Sequence, residues 1–230
     1  MNESGEAPRP ATWDERYIWK AGVAVRTAWL LGFVAVAAAV PMLADRYVYD
    51  HWHNPGVYDR EWGRLLRVMG WWPTWAAMGL ALWLTQRGTD RVRAVLHARA
   101  LLLAPGIAGI VCEVLKLVVR RERPEINAGD YGFRPWDIRP FDTAGLAMPS
   151  SHTMVAFAAA TVLARVYPGG RWVWYVLAAG CAVTRVLAHA HFLSDVSVGA
   201  LLGWSAGWGT WIDRKSTRLN SSHTDISRMP

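Results

Sequence analysis

Six long apolar segments restrict the possible folds of this chain more than any other feature. They cover residues 27–44, 68–86, 100–119, 149–167, 172–188 and 196–212. Each is close to the about 20 residues that an α-helix needs to cross a membrane. Helices suit a bilayer because they satisfy all their backbone hydrogen bonds internally. We therefore predict an all-α polytopic membrane protein with six transmembrane helices in a bundle.

Composition agrees with a membrane location. Hydrophobic residues make up 53% of the chain, and several of its 15 tryptophans stand near segment ends, where interfacial Trp is common. The net charge of +7 could indicate nucleic-acid binding, but the arginines stand at the ends of apolar segments and form no basic stripe. We expect anionic lipid to be the counter-charge and no nucleic-acid partner. Two cysteines inside apolar segments define no disulfide framework.

We divide the chain into three parts. Residues 1–20 form a polar N-terminal tail without the pattern of a cleaved signal peptide, and residues 21–212 form the six-helix domain. Residues 213–230 begin Asp-Arg-Lys-Ser-Thr-Arg-Leu-Asn-Ser-Ser-His, which resembles the conceptual translation of a sequencing adapter. We expect this tail to be non-native; an ordinary polar tail is the alternative.

The distribution of basic residues predicts the orientation of the chain. Residues 87–99, between the second and third segments, carry four arginines and a single acid, which indicates the cytoplasmic side. The opposite side is also basic, so this orientation requires the cluster 116–123 and Arg185 to serve chemistry. We expect a multi-pass protein of the inner membrane.

Successive spans alternate in direction, so the end of the third, the start of the fourth, the end of the fifth and the start of the sixth share one face. Nearly all the polar residues at membrane depth stand at these four places. They are Lys116, Arg120 and Arg123; Ser150, Ser151 and His152; Arg185; and His189, His191 and Asp195. Ionisable residues at membrane depth are functional candidates.

The cluster 116–124 is the most basic of the four groups. If it is helical, Lys116, Arg120 and Arg123 fall at i, i+4 and i+7 and form one basic face suited to an anion. Contact with lipid headgroups is the alternative for such a cluster. We expect Lys116 and Arg123 to be the ligands and Arg121 and Glu122 to lie on the surface.

The residue types on this face fit phosphoryl transfer, which needs fixed positive charge, an in-line nucleophile and an acid for the leaving group. Lys116, Arg123 and Arg185 can supply the charge, and Arg offers two-point contacts to phosphate. The Pro-Ser-Ser sequence at 149–151 predicts a helix start whose backbone N–H groups favour a bound anion.

Histidines can do the nucleophilic and proton-transfer work. His191 and Asp195 are four residues apart, so on a first helical turn the carboxylate could hold one ring nitrogen and leave the other free to attack phosphorus. His152 remains as general acid. Metal ligation by His189, His191 and Asp195 is the alternative, but no further cluster completes a site, so we expect no metal and no other cofactor.

Three motifs in this order resemble the signatures of the type 2 phosphatidic acid phosphatase (PAP2) family. The first is a lysine and an Arg-Pro pair separated by six residues, the second is Pro-Ser-Ser-His, and the third is an arginine, a histidine and an aspartate separated by five and three residues. Their positions are Lys116 and Arg123-Pro124; 149–152; and Arg185, His191 and Asp195. The resemblance covers about residues 66–212.

The resemblance implies a metal-independent phosphatase that forms a phosphohistidine on His191, with Asp195 orienting the ring and His152 protonating the leaving group. It implies phosphate ligands at Lys116, Arg123, Ser150, the Ser151 backbone N–H and Arg185. Two departures stand out, because the family usually has Gly at the position of Ser151 and Ser at the position of Thr184.

We therefore expect an enzyme of the bacterial inner membrane that removes phosphate from a lipid on the periplasmic or exterior side. Candidate substrates are phosphatidic acid, phosphatidylglycerol phosphate and undecaprenyl diphosphate. A non-catalytic protein that binds or transports anionic lipid is one alternative, and a phosphotransferase to a lipid or sugar acceptor is another. The sequence specifies neither the lipid nor the oligomeric state.

Overall fold

A computed structural model describes the backbone of residues 13–226 and the side chains chiefly of residues 39–211. The chain divides into two compact units, Met1–Val36 and Ala37–Pro230. The first unit is helical from Trp13 onward, and its Trp29 and Phe33 side chains are exposed. All the candidate site residues belong to the second unit.

Regular structure in residues 13–226 is helical, with seven α-helices and one 3-10 turn at 168–170 and no β-strand. The helices are α1 (Trp13–His51), α2 (Glu61–Val68), α3 (Trp72–Gln86), α4 (Arg91–Val119), α5 (Ser151–Val166), α6 (Arg171–Leu187) and α7 (Leu193–Ile226). Two isolated β-bridges tie residues 121 and 122 to the loop that follows them. The predicted all-α class is confirmed.

Each predicted apolar segment overlaps one long helix, but the ends of several differ from those predicted. The second segment was predicted to begin at Val68, but α3 begins at Trp72 with Pro73 in its first turn. Residues before it form α2, a short amphipathic helix that the sequence analysis missed. At the start of α4, the Asp90 carboxylate accepts a hydrogen bond from the Arg93 backbone N–H at 2.9 Å.

Helix length supports only part of the membrane prediction. Among the described residues, α4 is the one helix long and apolar enough to cross a membrane by itself, and α5 is a shorter apolar helix. Helices α3, α5 and α6 have 15, 16 and 17 residues, fewer than a full span usually needs. A single such helix also occurs in soluble cores, so six spans remain a prediction.

The side chains on the outer faces of the helices are nevertheless apolar. Large exposed residues on α3, α4 and α6 include Leu80, Leu103, Ile110, Val118 and Val176. Soluble monomers rarely expose apolar surface over so many neighbouring turns. This surface fits a lipid environment.

Helices α5 and α7 are in close backbone contact through glycines spaced four residues apart. A Cβ atom on Gly203 would collide with the Met154 carbonyl oxygen. On Gly199 it would lie 2.8 Å from the Ser150 carbonyl oxygen, and Gly207 packs in the same way one turn later. Small residues at this spacing let membrane helices approach closely. The contact fixes the starts of α5 and α7 beside each other.

Candidate active site

Helix α4, which carries Lys116, ends at Val119, before Arg123. Arg120 adopts a left-handed conformation with φ 56°, and its N–H closes the last turn on the Lys116 carbonyl at 2.8 Å. The next two residues form bridges with the loop. The expectation that Lys116, Arg120 and Arg123 share a helical face is therefore wrong, because the left-handed conformation of Arg120 ends the helix between Lys116 and Arg123.

The Arg120 side chain is directed into the loop at 134–140. Its guanidinium donates to the backbone carbonyls of Arg134 at 2.8 Å, Pro135 at 2.8 Å, Ile138 at 2.7 Å and Pro140 at 3.1 Å. The residue is only 2% exposed. Arg120 thus organises the loop.

Arg121 and Glu122 do not lie on the surface, contrary to the sequence-based expectation. Arg121 is 1% exposed, and the Glu122 side chain is 21% exposed beside Arg134. The Arg121 guanidinium donates to Ser194 Oγ at 2.9 Å and to Asp45 Oδ2 at 3.1 Å. The extended backbone after α4 turns this side chain inward, where charge must be paired.

Lys116 connects the end of α4 to the start of α5. Its ammonium donates to Glu113 Oε1 at 2.9 Å and to Ser151 Oγ at 3.3 Å, and the residue is 5% exposed. The serine that stands in place of the usual glycine therefore contacts the lysine of the first signature. Two of the predicted phosphate ligands, Lys116 and Ser151, are adjacent in the structure.

The predicted helix start at 149–151 is confirmed, because α5 begins at Ser151 with Ser150 as N-cap. The Ser150 backbone N–H donates to the Asp195 carbonyl at 3.1 Å, and its hydroxyl accepts from Thr153 at 3.1 Å. These bonds hold the start of α5 against the first turn of α7. The N–H of Ser150 is thus committed to α7, and its buried hydroxyl is held by Thr153.

Arg185 is nearly buried, at 5% exposure, and is held by a tyrosine that the sequence analysis missed. Its Nη1 donates to the Tyr58 hydroxyl at 2.9 Å, and that hydroxyl donates to the Thr184 carbonyl at 3.1 Å. The Thr184 hydroxyl bonds instead to the Cys181 carbonyl at 2.7 Å, within α6. No signature in the sequence marks Tyr58, because its role depends on a contact across the fold.

Two predicted phosphate ligands and Arg121 each have a buried Nε atom without a hydrogen-bond partner among the described residues. Within the part of the chain that the structure describes, Arg123 Nε and Arg185 Nε are buried and have no hydrogen-bond acceptor. An unsatisfied buried donor costs about 1–3 kcal/mol, and more when charged. Both atoms therefore favour a bound anion.

His191 and Asp195 face each other at the start of α7. His191 Nδ1 lies 3.8 Å from Asp195 Oδ2, too long for a hydrogen bond. Oδ2 accepts instead from the Phe192 backbone N–H at 2.8 Å. His191 is 3% exposed and Asp195 is 0% exposed. The carboxylate thus faces Nδ1, which leaves Nε2 as the other ring nitrogen.

Burial lowers the pKa of His191 well below its usual value, and the nearby charges of Arg185, Lys116 and Arg123 lower it further. The imidazole is therefore neutral at physiological pH, and a backbone hydrogen bond with Ala147 acts in the opposite direction. The same arginines and lysine that would bind phosphate thus add to the effect of burial in favouring the neutral ring.

His152 lies on the first turn of α5, half-buried, within electrostatic range of Arg185 and His191. The structure thus brings His152, His191, Arg185 and Lys116 together from three helices and one loop.

The alternative of a metal site at His189 receives no geometric support. No group of three or more His, Cys, Asp or Glu residues among those described is arranged to hold a metal ion. His189 has φ 52°, and its ring is stacked between Tyr49 and His53 with centroid distances of 4.1 and 3.9 Å.

An apolar groove of about 560 Å³ runs along α4 toward the site. It is lined by Trp72, Pro105, Gly106, Gly109, Ile110, Glu113, Val114 and Leu117. Glu113 both lines the groove and bonds to Lys116, so this end of the groove lies next to a residue of the candidate site.

Comparison with protein families agrees with this arrangement of motifs. The PAP2 superfamily matches residues 97–218, more than half of the chain. The match includes all three signatures. The chain belongs to the PAP2 superfamily, and the resemblance stated from the sequence is confirmed.

Two curated relatives carry the same name. Lipid A 1-phosphatase of Porphyromonas gingivalis is 39% identical over 93 residues, which are 38% of this chain and 20% of the relative. Lipid A 1-phosphatase of Rhizobium etli is 31% identical over 103 residues, which are 44% of this chain and 42% of the relative. The matched part thus spans less than half of either relative. No solved structure matches this chain.

Proposed function

We propose that this protein is an integral membrane phosphatase that hydrolyses a lipid phosphate or diphosphate. The observation that carries the proposal is a neutral, buried His191 beside two buried guanidinium nitrogens that have no acceptor. An anion that pairs with Arg123 and Arg185 would place its phosphorus close to the histidine. Membership of the PAP2 superfamily supports the same chemistry.

The first half-reaction forms a phosphohistidine. His191 Nε2 attacks phosphorus with its lone pair while the bond from phosphorus to the lipid oxygen breaks, and a protonated His152 gives its proton to that oxygen. The phosphorylated imidazole retains Nδ1–H and a positive charge, which the Asp195 carboxylate offsets. Lys116, Arg123 and Arg185 stabilise the equatorial phosphoryl oxygens.

The second half-reaction releases phosphate. Neutral His152 removes a proton from water, the water oxygen attacks phosphorus, and the bond to Nε2 breaks. His191 regains its lone pair, and His152 regains the proton that it donated in the first step. The side chains of Lys116, Arg123 and Arg185 would offset the phosphate charge in both half-reactions, so the proposed reaction requires no metal ion.

The groove along α4 supports a lipid substrate. It is apolar, opens to the outer face of the helix and reaches Glu113 beside Lys116. An acyl chain there would lie against Ile110 and Val114 while its headgroup meets the cations. We place the protein in the inner membrane with six spans and its site on the periplasmic or exterior side.

The names of the two relatives add a substrate to those expected from the sequence. We propose a panel of lipid A 1-phosphate, phosphatidic acid, phosphatidylglycerol phosphate and undecaprenyl diphosphate. Two alternatives remain: a carrier of anionic lipid would form no covalent intermediate, and a phosphotransferase would pass the group to a lipid or sugar acceptor.

The test uses the full chain purified in detergent, with chelator present, and measures release of inorganic phosphate from each lipid. Denaturation without acid during turnover of labelled substrate should trap phosphate on the protein. His191→Ala should abolish both signals, while His189→Ala, a matched change two residues away, should retain them. Full activity in His191→Ala would disprove the nucleophile, and turnover without trapped label would disprove the intermediate.

Adding candidate acceptors separates hydrolysis from transfer. A hydrolase yields inorganic phosphate at the same rate with and without lipid or sugar acceptors, whereas a phosphotransferase yields phosphorylated acceptor. Lipid binding without either product would identify a carrier.

A further inference from the structure

We propose that Arg121 is a positioning residue for the reaction, holding the Asp195 carboxylate ionised and oriented beside His191 from a buried anchor on Asp45. The inference rests on the proposed function, because Asp195 matters to Arg121 only if it supports His191 during catalysis. Arg121 belongs to the six unspecified positions of the first signature, so the motif alone assigns it nothing.

The contact between Arg121 and Asp195 is close and dry. Arg121 Nη1 lies 3.3 Å from Asp195 Oδ1, and the exposed fractions of the two side chains are 2% and 0%. Oδ1 has no hydrogen-bond donor among the described residues, whereas Oδ2 accepts from the Phe192 N–H. Arg121 is therefore the cation that controls the free oxygen of this carboxylate.

Asp45 fixes the other side of the guanidinium. Its Oδ2 accepts from Arg121 Nη2 at 3.1 Å and from the Tyr131 hydroxyl at 2.9 Å, and its Oδ1 accepts from the Ser194 N–H at 2.9 Å. Burial and the bond to Asp45 raise the pKa of Tyr131 to about 12, so this phenol remains a donor. Asp45 thus anchors Arg121 and is itself held in place by Tyr131 and Ser194.

Two aromatic rings restrict how the guanidinium can move. Its central carbon lies 4.1 Å from the Tyr131 ring centroid and 4.2 Å from that of Phe192. Phe192 also supplies the N–H that binds Asp195 Oδ2. The same residue therefore orients both members of the ion pair.

The cluster around Arg121 contains more buried carboxylates than guanidinium groups. One guanidinium serves two buried carboxylates, Asp45 and Asp195, and the other ionisable groups acting on Asp195 are Lys116 and the His191 ring. Phosphorylation of His191 adds a positive charge on the side of Nδ1. An ionised Asp195 offsets that charge. Burial raises the pKa of Asp195 to about 7, and Arg121 opposes that rise and so favours the ionised carboxylate.

The test compares two buried arginines that are adjacent in sequence. Arg121→Met should lower kcat with little change in KM and move the acidic limb of the kcat/KM profile to higher pH by about 1–3 units. Arg120→Met removes a guanidinium of equal burial that bonds only to loop carbonyls. It should leave the position of that limb unchanged.

Two further variants give results of opposite sign. Arg121→Lys retains a cation and should recover part of the wild-type limb. Asp45→Asn removes the competing anion and should move the limb to lower pH, because Arg121 then serves Asp195 alone. Loss of packing alone would lower activity in every variant without moving the limb in opposite directions.

Activity is expressed per folded molecule, determined from the thermal unfolding of each variant in the same detergent. An unmoved limb in Arg121→Met, or an upward or absent shift in Asp45→Asn, overturns the proposal. If Arg121→Met does not fold, the positions of the acidic limb in Arg121→Lys and Asp45→Asn test the proposal. Failure of the proposed function is distinct, because the wild-type protein itself would then release no phosphate.

Discussion

The backbone of Gly70 lies directly against His152. A Cβ atom on Gly70 would be 2.5 Å from His152 Cβ and 2.7 Å from its Cα, closer than side chains can approach. Gly70 stands in the turn between α2 and α3, far from the three signatures in the sequence. The position of the proposed general acid thus depends on the absence of a side chain on a different segment.

Gly70→Ala is expected to lower kcat strongly, by about 10-fold or more, because the added methyl displaces His152 from the leaving group. The measurement is phosphate release per folded molecule. Gly88→Ala is the control, since a Cβ there meets nothing within 4 Å. Equal activities of the two variants would contradict the prediction.

Lowering the pH should destabilise the protein through His191. Because the pKa of His191 in the fold is well below its usual value, the unfolded chain binds the proton more readily between that pKa and about 6.5. This contribution to stability is complete above pH 6.5 and is lost as the pH falls below it.

Thermal unfolding in detergent at pH 7.5 and pH 5 checks this sign. His191→Gln cannot titrate and should lose less Tm between the two values than the wild-type protein. His51→Gln, at an exposed position, is the control and should behave as wild type. An equal loss of Tm in His191→Gln would show that the ring is not the group responsible.

Tyr58→Phe should weaken phosphate binding, because it removes the hydroxyl that holds Arg185 Nη1 at 2.9 Å. Hydrogen bonds to charged groups contribute about 1.5–3 kcal/mol, so kcat/KM should fall about 10-fold or more. Tyr175→Phe is the matched control, since its hydroxyl bonds to Thr161 at 3.2 Å, away from the site. A smaller effect for Tyr58→Phe than for Tyr175→Phe would be inconsistent with this role.

Gly203→Ala and Gly209→Ala should have effects of opposite sign on stability. Both glycines lie in α7, but a Cβ on Gly203 would collide with the Met154 carbonyl, whereas on Gly209 it would meet nothing within 4 Å. Alanine at an open helical site stabilises by about 0.5–1 kcal/mol. Tm in detergent should therefore fall for Gly203→Ala and rise for Gly209→Ala, and a fall of similar size in both variants would contradict the prediction.

The features that depend on local sequence, or on motifs with a fixed residue spacing, could be predicted from the sequence. The apolar segments located the helices, and the Pro-Ser-Ser sequence at 149–151 located the start of α5, because both depend on local chemistry. The shared face of the four segment ends followed from alternation of direction. The family was predicted from the resemblance of three motifs to its signatures.

The missed features depend on long-range contacts or on one backbone angle. Arg120 and Arg121 are identical residues side by side, and only the left-handed conformation at Arg120 sends one into the loop and the other toward Asp195. Tyr58, Asp45 and Gly70 act across the fold, where no local pattern reports them. A single sequence contains no information on which distant partner each will meet.

The glycine contact between α5 and α7 also restricts how the two helices can move relative to each other. Carbonyl groups of one helix sit where side chains of the other would be, so the two helices cannot slide past each other without collision. The backbone hydrogen bond from Ser150 to Asp195 holds the two helices together at the end where the candidate site lies. We expect the separation of the proposed proton donor and the proposed nucleophile to be insensitive to bilayer thickness, so that one geometry of the site would serve membranes of changing lipid composition.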